Sequence, residues 1–263
     1  MISYLSICTA SLLVAGLTMY SGFGLGTLLM PVFALFFPVE VAVAATAVVH
    51  SANNLFKIGL LGRYADRHLV LYFGVPALFA AFFGAAALGY AAHFGEIAVW
   101  SLGSRQAVIT PLKLIMGLLM LIFALFELLP RLRKLKIDRR WLVPGGLLSG
   151  FFGGFSGHQG ALRAAFLTKV GISPEGFVGT NAVIACMVDA ARIATYAMFF
   201  LLADSANPLG REQWLLILAA IASAFIGVRL GKSLLPKVTM KAIQTLTGLL
   251  LLLIAVGLAS GLI

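Results

Sequence analysis

Residues 141–170 read WLVPGGLLSGFFGGFSGHQGALRAAFLTKV, and the fold turns on how they are arranged. The stretch is apolar but broken at its centre by Gly153-Gly154-Phe155-Ser156-Gly157-His158-Gln159-Gly160. It is either one interrupted crossing of a bilayer or a hairpin of two shorter helices, and glycine permits the backbone that either needs. A second stretch of the same kind spans 4–37, with Ser21-Gly22-Phe23-Gly24-Leu25-Gly26 as its break. Between and after them lie unbroken apolar runs at about 40–62, 69–92, 106–129, 174–203, 212–233 and 238–262. Each is long enough to cross a ~30 Å hydrocarbon core as a helix. None alternates with period two as a barrel strand does.

Composition leaves no other class. Of 263 residues, 61% are hydrophobic and 11% charged, against roughly 25% charged in an ordinary soluble domain. The mean hydropathy is +1.05. So few polar residues cannot cover a water-soluble surface, which excludes a soluble enzyme, a disordered chain and a free nucleic-acid-binding domain. The net charge of +10 is not a nucleic-acid signature, because the cations sit in short links between apolar runs. Cys8 and Cys186 are isolated, with no metal spacing and no disulfide framework. The first basic residue is Lys57, so the start lacks the charged region of a signal peptide, and the N-terminal apolar run is expected to be kept.

Charge also chooses between hairpin and crossing. Cytoplasmic loops are enriched in Lys and Arg. Arg131, Arg133, Lys134, Lys136, Arg139 and Arg140 place the 131–140 link inside, and two crossings back Arg63 and Arg67 fall on the same side. If 141–170 is a hairpin, Lys232, Lys237 and Lys241 are inside as well, leaving Arg105 and Arg211 in the outer loops. A single crossing would put those three lysines outside. The hairpin is therefore expected, with both termini outside.

The halves then resemble each other. Gly26 matches Gly160 and Thr46 matches Thr180; Asn54 and Lys57 match Asp189 and Arg192 one residue further on. Gly84 in Ala-Phe-Phe-Gly-Ala matches Gly227 in Ala-Phe-Ile-Gly-Val. Matching runs cross in opposite directions, an inverted repeat, which in transporters places the substrate site near the midplane between the repeats. The expected fold is an all-α integral membrane protein. A first transmembrane repeat covers 1–130, a basic cytoplasmic linker 131–140 and a second repeat 141–263. Each repeat is a glycine-broken hairpin followed by about three crossings.

Two polar clusters interrupt this apolar chain. His50, Asn53, Asn54 and Lys57 follow helical spacing and form one stripe, with Thr46 a turn earlier. Lys57 could snorkel to the inner interface, but two adjacent asparagines beside it are hard to explain that way. Their amide N–H groups and the ammonium are donors suited to an oxyanion. The second cluster is Ser156, His158, Gln159, Arg163, Thr180, Asn181, Asp189 and Arg192. Arg163 follows the glycine turn, where free N–H groups of a helix start also attract an anion. A charge at mid-membrane costs at least ~2.5–3.5 kcal/mol, so Arg163 should face protein or water. Asp189 and Arg192 can form an i,i+3 ion pair that is purely structural or that lines a site. His50, His158 and Asp189 are candidates for proton coupling, against an ordinary structural role for either histidine. Gly84, Gly227 and Gly231 read as contacts for close helix packing.

The chain resembles the TauE/SafE sulfite exporter family, also called TSUP. The resemblance rests on SGFGLGTLLMPVFALFFPVEVAVAATAVVHSANNLFK at 21–57, GLLSGFFGGFSGHQGALRAAFL at 146–167 and GTNAVIACMVDAARIATY at 179–196. It implies a secondary carrier in the bacterial inner membrane that exports sulfite or an organosulfonate such as sulfoacetate. It carries the functional weight onto Asn53, Asn54, Lys57, Gln159, Arg163, Asp189 and Arg192. It also admits a homodimer, for which no residue pattern speaks. Partners are then a small anion and the lipid bilayer, not nucleic acid. No cofactor or metal is expected, and no G-x-x-x-x-G-K-[ST] string is present for a nucleotide.

Two other classes compete. Gly154-Phe155-Ser156-Gly157 fits a string found in rhomboid-type intramembrane serine proteases, but no histidine follows His158 to serve as the base. A cation or metal carrier would need several oxygen ligands, whereas Asp189 stands among Lys57, Arg163 and Arg192.

Overall fold

The computed structural model describes residues 2–21, 24–103, 105–133, 137–167, 170–202, 210–234 and 240–263. Lys134, Lys136, Lys237 and most of the 204–211 loop lie outside the described residues. Apolar sequence in the described residues folds almost wholly as helix, which satisfies backbone polar groups where water is absent. The helices are α1 (Ile2–Ser21), α2 (Leu25–Ala34), α3 (Val39–Leu61), α4 (Arg67–Ala91), α5 (Pro111–Leu128), α6 (Leu142–Ser156), α7 (Gly160–Leu167), α8 (Pro174–Leu202), α9 (Arg211–Leu234) and α10 (Met240–Ala259). Short polar residues start two of them. Asp66 accepts from the Leu69 N–H at 3.0 Å ahead of α4, and Thr110 accepts from the Lys113 N–H at 3.2 Å ahead of α5.

Four helical segments among the described residues are long and apolar enough to span a membrane: Arg67–Ala91, Pro111–Leu128, Pro174–Phe199 and Arg211–Gly231. At 23 residues α3 is also long enough, about 35 Å at the usual helical rise. It falls outside that group because His50, Asn53, Asn54 and Lys57 dilute its apolar character. Large apolar side chains such as Leu5, Phe83 and Leu253 stand on the outer surface, as a lipid-facing wall requires. The chain is a multi-pass, all-α membrane protein.

Two pairs of helices meet at glycines. A Cβ on Gly84 of α4 would lie 2.0 Å from the Phe151 carbonyl oxygen of α6, and Cβ atoms on Gly150 and Gly154 would lie 2.1 Å from the carbonyls of Ala77 and Ala81. On the far side, a Cβ on Gly227 of α9 would lie 2.0 Å from Leu12 O of α1, and one on Gly231 would lie 2.7 Å from Gly16 O. Backbones touch where side chains are missing, as expected for these glycines. In both pairs the residue numbers rise together, so α4 runs parallel to α6 and α9 parallel to α1. The other main contacts join α3 to α8 and α5 to α10.

The ends of 141–170 come back to the same side. The Ile137 N–H donates to Ala165 O at 3.2 Å, and the Arg139 guanidinium donates to Val170 O. α6 and α7 therefore form a hairpin, and α7 does not complete a crossing. At the opposite end a two-stranded antiparallel ribbon, β1 (Ala98–Leu102) and β2 (Arg105–Ile109), covers the C-terminus. The Val108 N–H donates to Gly261 O at 3.0 Å and the Trp100 indole to Ser260 O at 2.7 Å. This ribbon corrects the expected run at 106–129. Residues 106–109 are strand, and Thr110-Pro111 marks the true helix start.

Candidate functional site

The polar stripe of α3 faces protein. Thr46, His50, Asn53, Asn54 and Lys57 are all buried, as are Ser156, His158, Gln159, Arg163, Thr180, Asn181, Asp189 and Arg192. A charged side chain at this depth needs partners, and the structure supplies most of them in one connected chain.

That chain runs through both halves of the sequence. His50 Nδ1 lies 2.7 Å from Asp189 Oδ2. With the proton assigned to Nδ1, the ring donates to the carboxylate, and the Asn54 amide stands against the ring, its Nδ2 3.2 Å from Nδ1 and 3.3 Å from Nε2. The other carboxylate oxygen accepts from Arg192 Nε at 3.0 Å, Arg192 Nη2 at 2.7 Å and Gln159 Nε2 at 3.4 Å. Gln159 Oε1 accepts from Arg163 Nη1 at 2.9 Å, and Arg163 Nε donates to Asn181 Oδ1 at 2.6 Å. Asn181 is steadied in turn by donating to Phe177 O at 2.9 Å. The Ser149 hydroxyl holds the backbone of the turn, donating to Gln159 O at 3.2 Å. The i,i+3 ion pair of Asp189 and Arg192 is thus formed, and it lies inside the cluster.

The two glycine breaks meet beside this chain. Gly24 and Gly157 have φ of +112° and +80°, a left-handed backbone that glycine adopts without strain. A Cβ on Gly26 would lie 3.2 Å from Gly157 O and 3.6 Å from the His50 ring. A Cβ on Gly157 would lie 3.0 Å from Arg192 Nη1. A side chain at either position would intrude on His50 or Arg192, so glycine here leaves room for those two side chains.

Lys57 reaches the first break from another side. Its Nζ donates to Thr18 O and Thr18 Oγ1, both at 3.1 Å, in the last turn of α1. A cation there complements the negative end of the helix. Two contacts leave one ammonium proton for a further partner. Its charge and that of Arg163 act on one another, and Arg163 and Arg192 both act on His50. Among the described residues, three buried cations, Lys57, Arg163 and Arg192, thus accompany the carboxylate of Asp189. Glu127, also buried, lies near the C-terminal end of α5.

Several buried polar atoms have no hydrogen-bond partner among the described residues: both side-chain atoms of Asn53, Thr46 Oγ1, Arg192 Nη1 and the two ring nitrogens of His158. Each such atom costs about 1–3 kcal/mol unless something else satisfies it. Arg192 Nη1, at the junction of the breaks, is the most informative of them.

Not every expected residue joins the chain. His158 stacks on Phe123 with ring centroids 5.2 Å apart. The Ser156 hydroxyl donates to Phe152 O at 3.0 Å within its own helix. Thr180 Oγ1 accepts from the Asp66 N–H at 2.9 Å, fastening the 62–66 link to α8. Three participants were not legible in the sequence. Thr18 holds Lys57, Asp66 meets Thr180, and the Tyr196 hydroxyl donates to Gly154 O. A lone threonine or tyrosine in an apolar helix is too common to signal a role.

The profile of the sulfite exporter TauE/SafE family matches residues 7–258. No curated protein and no solved structure matches the chain. The profile takes in both glycine breaks, the α3 stripe and the Asp189–Arg192 pair, and on that extent the chain belongs to the sulfite exporter TauE/SafE family of membrane transporters.

Proposed function

We propose that this protein is a secondary carrier that exports a small sulfur oxyanion, sulfite or an organosulfonate such as sulfoacetate, across the bacterial inner membrane. The observation that carries the reading is the buried cluster at the junction of the glycine breaks, where Lys57, Arg163 and Arg192 outnumber the carboxylate of Asp189 even if the buried Glu127 is counted with it. Such an excess of positive charge in a low-dielectric setting favours an anion and disfavours a cation. The donors on hand (guanidinium groups, amides of Asn53 and Asn54, and the spare proton of Lys57) match sulfonate oxygens, which only accept. Gln159 and Asn181 complete the binding region by holding Arg163, whereas Ser156 and Thr180 are engaged elsewhere.

The division into a first repeat at 1–130 and a second at 141–263, joined by a basic cytoplasmic linker, belongs to the same reading. It is supported by the parallel glycine contact that occurs twice, α4 with α6 and α9 with α1. Exchanging the halves maps each of these pairs onto the other, as an inverted repeat requires. A protease reading has little support, because the Ser156 hydroxyl is spent on its own helix and His50 is engaged by Asp189.

Titration of the purified protein with sulfite, sulfoacetate, thiosulfate and sulfate tests the proposal. Saturable binding of a sulfur anion, lost in Arg192→Gln, is expected. A cation bound in preference to all four anions would overturn it.

A further inference from the structure

His50 and Asp189 are in direct contact, yet an anion carrier has no evident need of a carboxylate beside its cations. Asp189 presents to Arg192 an oxyanion edge of the kind a sulfonate would present. The guanidinium gives Nε and Nη2 to Asp189 Oδ1, and only Nη1 is left uncommitted, against the Gly157 turn. An arriving anion and Asp189 therefore compete for one guanidinium, and while ionised Asp189 also repels the anion.

We propose that the His50–Asp189 pair is a proton site, and that a proton held there releases Arg192 to the transported anion, which makes the carrier a proton–anion symporter. The inference rests on reading the cluster as an anion site. The proton balance is simple. In the unprotonated state the ring proton lies on Nδ1 and points at Asp189 Oδ2, 2.7 Å away. One added proton enters the pair, on the carboxylate or on Nε2, and either placement removes one unit of negative charge. The proton leaves by the reverse of this step when the anion departs. The pair also joins α3 to α8, one helix from each half, so its charge bears on the contact that must rearrange during transport.

Other titratable groups surround the pair on the elements packed about it. α3 contributes His50 and Lys57, and Lys57 is held by Thr18. α7 contributes Arg163, and the turn before it contributes His158, which rests on Phe123. α8 itself carries Cys186, Arg192 and Tyr196. α6 and α2 have no titratable side chain along their length, and those of α4 (Arg67, His68, Tyr72 and Tyr90) and Arg211, Glu212 and Arg229 of α9 are exposed, while α5 carries the buried Glu127. By linkage, proton and anion raise each other's affinity by the same factor. Anion affinity should therefore increase as pH falls, approaching about tenfold per pH unit while the pair titrates.

Sulfoacetate tests this, because it is fully ionised near neutrality and neither takes up nor releases protons itself. In weakly buffered solution with a pH indicator, the purified wild-type protein should take up about one proton per sulfoacetate bound. Asp189→Asn, uncharged and nearly isosteric, should bind more tightly than wild type at alkaline pH, take up no proton and show no pH slope. His50→Gln leaves the carboxylate but not the ring, and should shift the pH at which affinity changes. Sulfoacetate binding by wild type with no proton uptake would overturn the proton site and leave the anion reading standing. Equal uptake in Asp189→Asn would overturn it too. Failure of wild type to bind any sulfur anion would overturn the anion reading, and the proton site with it. The wild-type proton count decides the matter even if a variant does not fold.

Discussion

Arg163 and Lys57 reach the same cluster by different routes, and the difference shapes what their replacement should do. Arg163 is held by Asn181 and Gln159, both in the second half, and its charge faces the cluster. Arg163→Gln should weaken sulfoacetate binding by on the order of 1.5–3 kcal/mol, the scale of a hydrogen bond to a charged group, or roughly tenfold and more in affinity. Lys57→Gln should weaken binding similarly and should also lower the melting temperature, since Lys57 ties down the last turn of α1. Thr18→Val removes part of that tie without touching the anion, and is expected to lower the melting temperature while sparing affinity. Arg229 is exposed, so Arg229→Gln is the control for loss of a cation. Calorimetric titration and thermal melts of the same preparations separate the effects. Wild-type affinity in both Arg163→Gln and Lys57→Gln would make these cations structural.

At the scale of the element, each parallel glycine seam joins the helix before one break to a crossing helix of the other half. Gly154→Ala and Gly227→Ala would each place a methyl 2.0–2.1 Å from a facing carbonyl oxygen, so a pair of helices must move apart. A loss of about 1–3 kcal/mol, the usual cost of overpacking, is expected for each. Gly59→Ala in α3 meets nothing within 4 Å and should be neutral or slightly stabilising, by up to about 1 kcal/mol. Melting curves in detergent check all three, and a Gly59→Ala protein less stable than Gly227→Ala would refute the seam as the source of the effect. The polar stripe on α3 and the broken helices were legible because both are written in local spacing: period 3.6 for the stripe, glycine runs for the breaks. The β-ribbon was not, because Gln106-Ala107-Val108-Ile109 continues into the apolar residues of α5, and only Thr110-Pro111 divides them.

For the whole molecule, the basic links at 63–67 and 131–140 are expected in the cytoplasm, and the β-ribbon with the C-terminus outside. In a chain with Cys8 and Cys186 replaced by serine, Gly95→Cys should react with an impermeant maleimide in intact cells. Arg131→Cys should react only after permeabilisation. The opposite pattern would invert the orientation.

Composition and charge placement were enough to determine a helical membrane protein, the hairpin at 141–170 and the polar residues that had to be buried. These follow from what each stretch of chain must do in lipid, and that is a local property. Which buried groups meet was decided only by the tertiary structure. Asp189 pairs with His50 139 positions away as well as with Arg192 next to it. Lys57 turns to Thr18, Thr180 to Asp66, and His158 to Phe123. A helix's spacing states which side chains share a face, but not which helix that face meets or at what rotation. Those depend on the glycine seams, where two backbones come into contact and set the register of everything the helices carry.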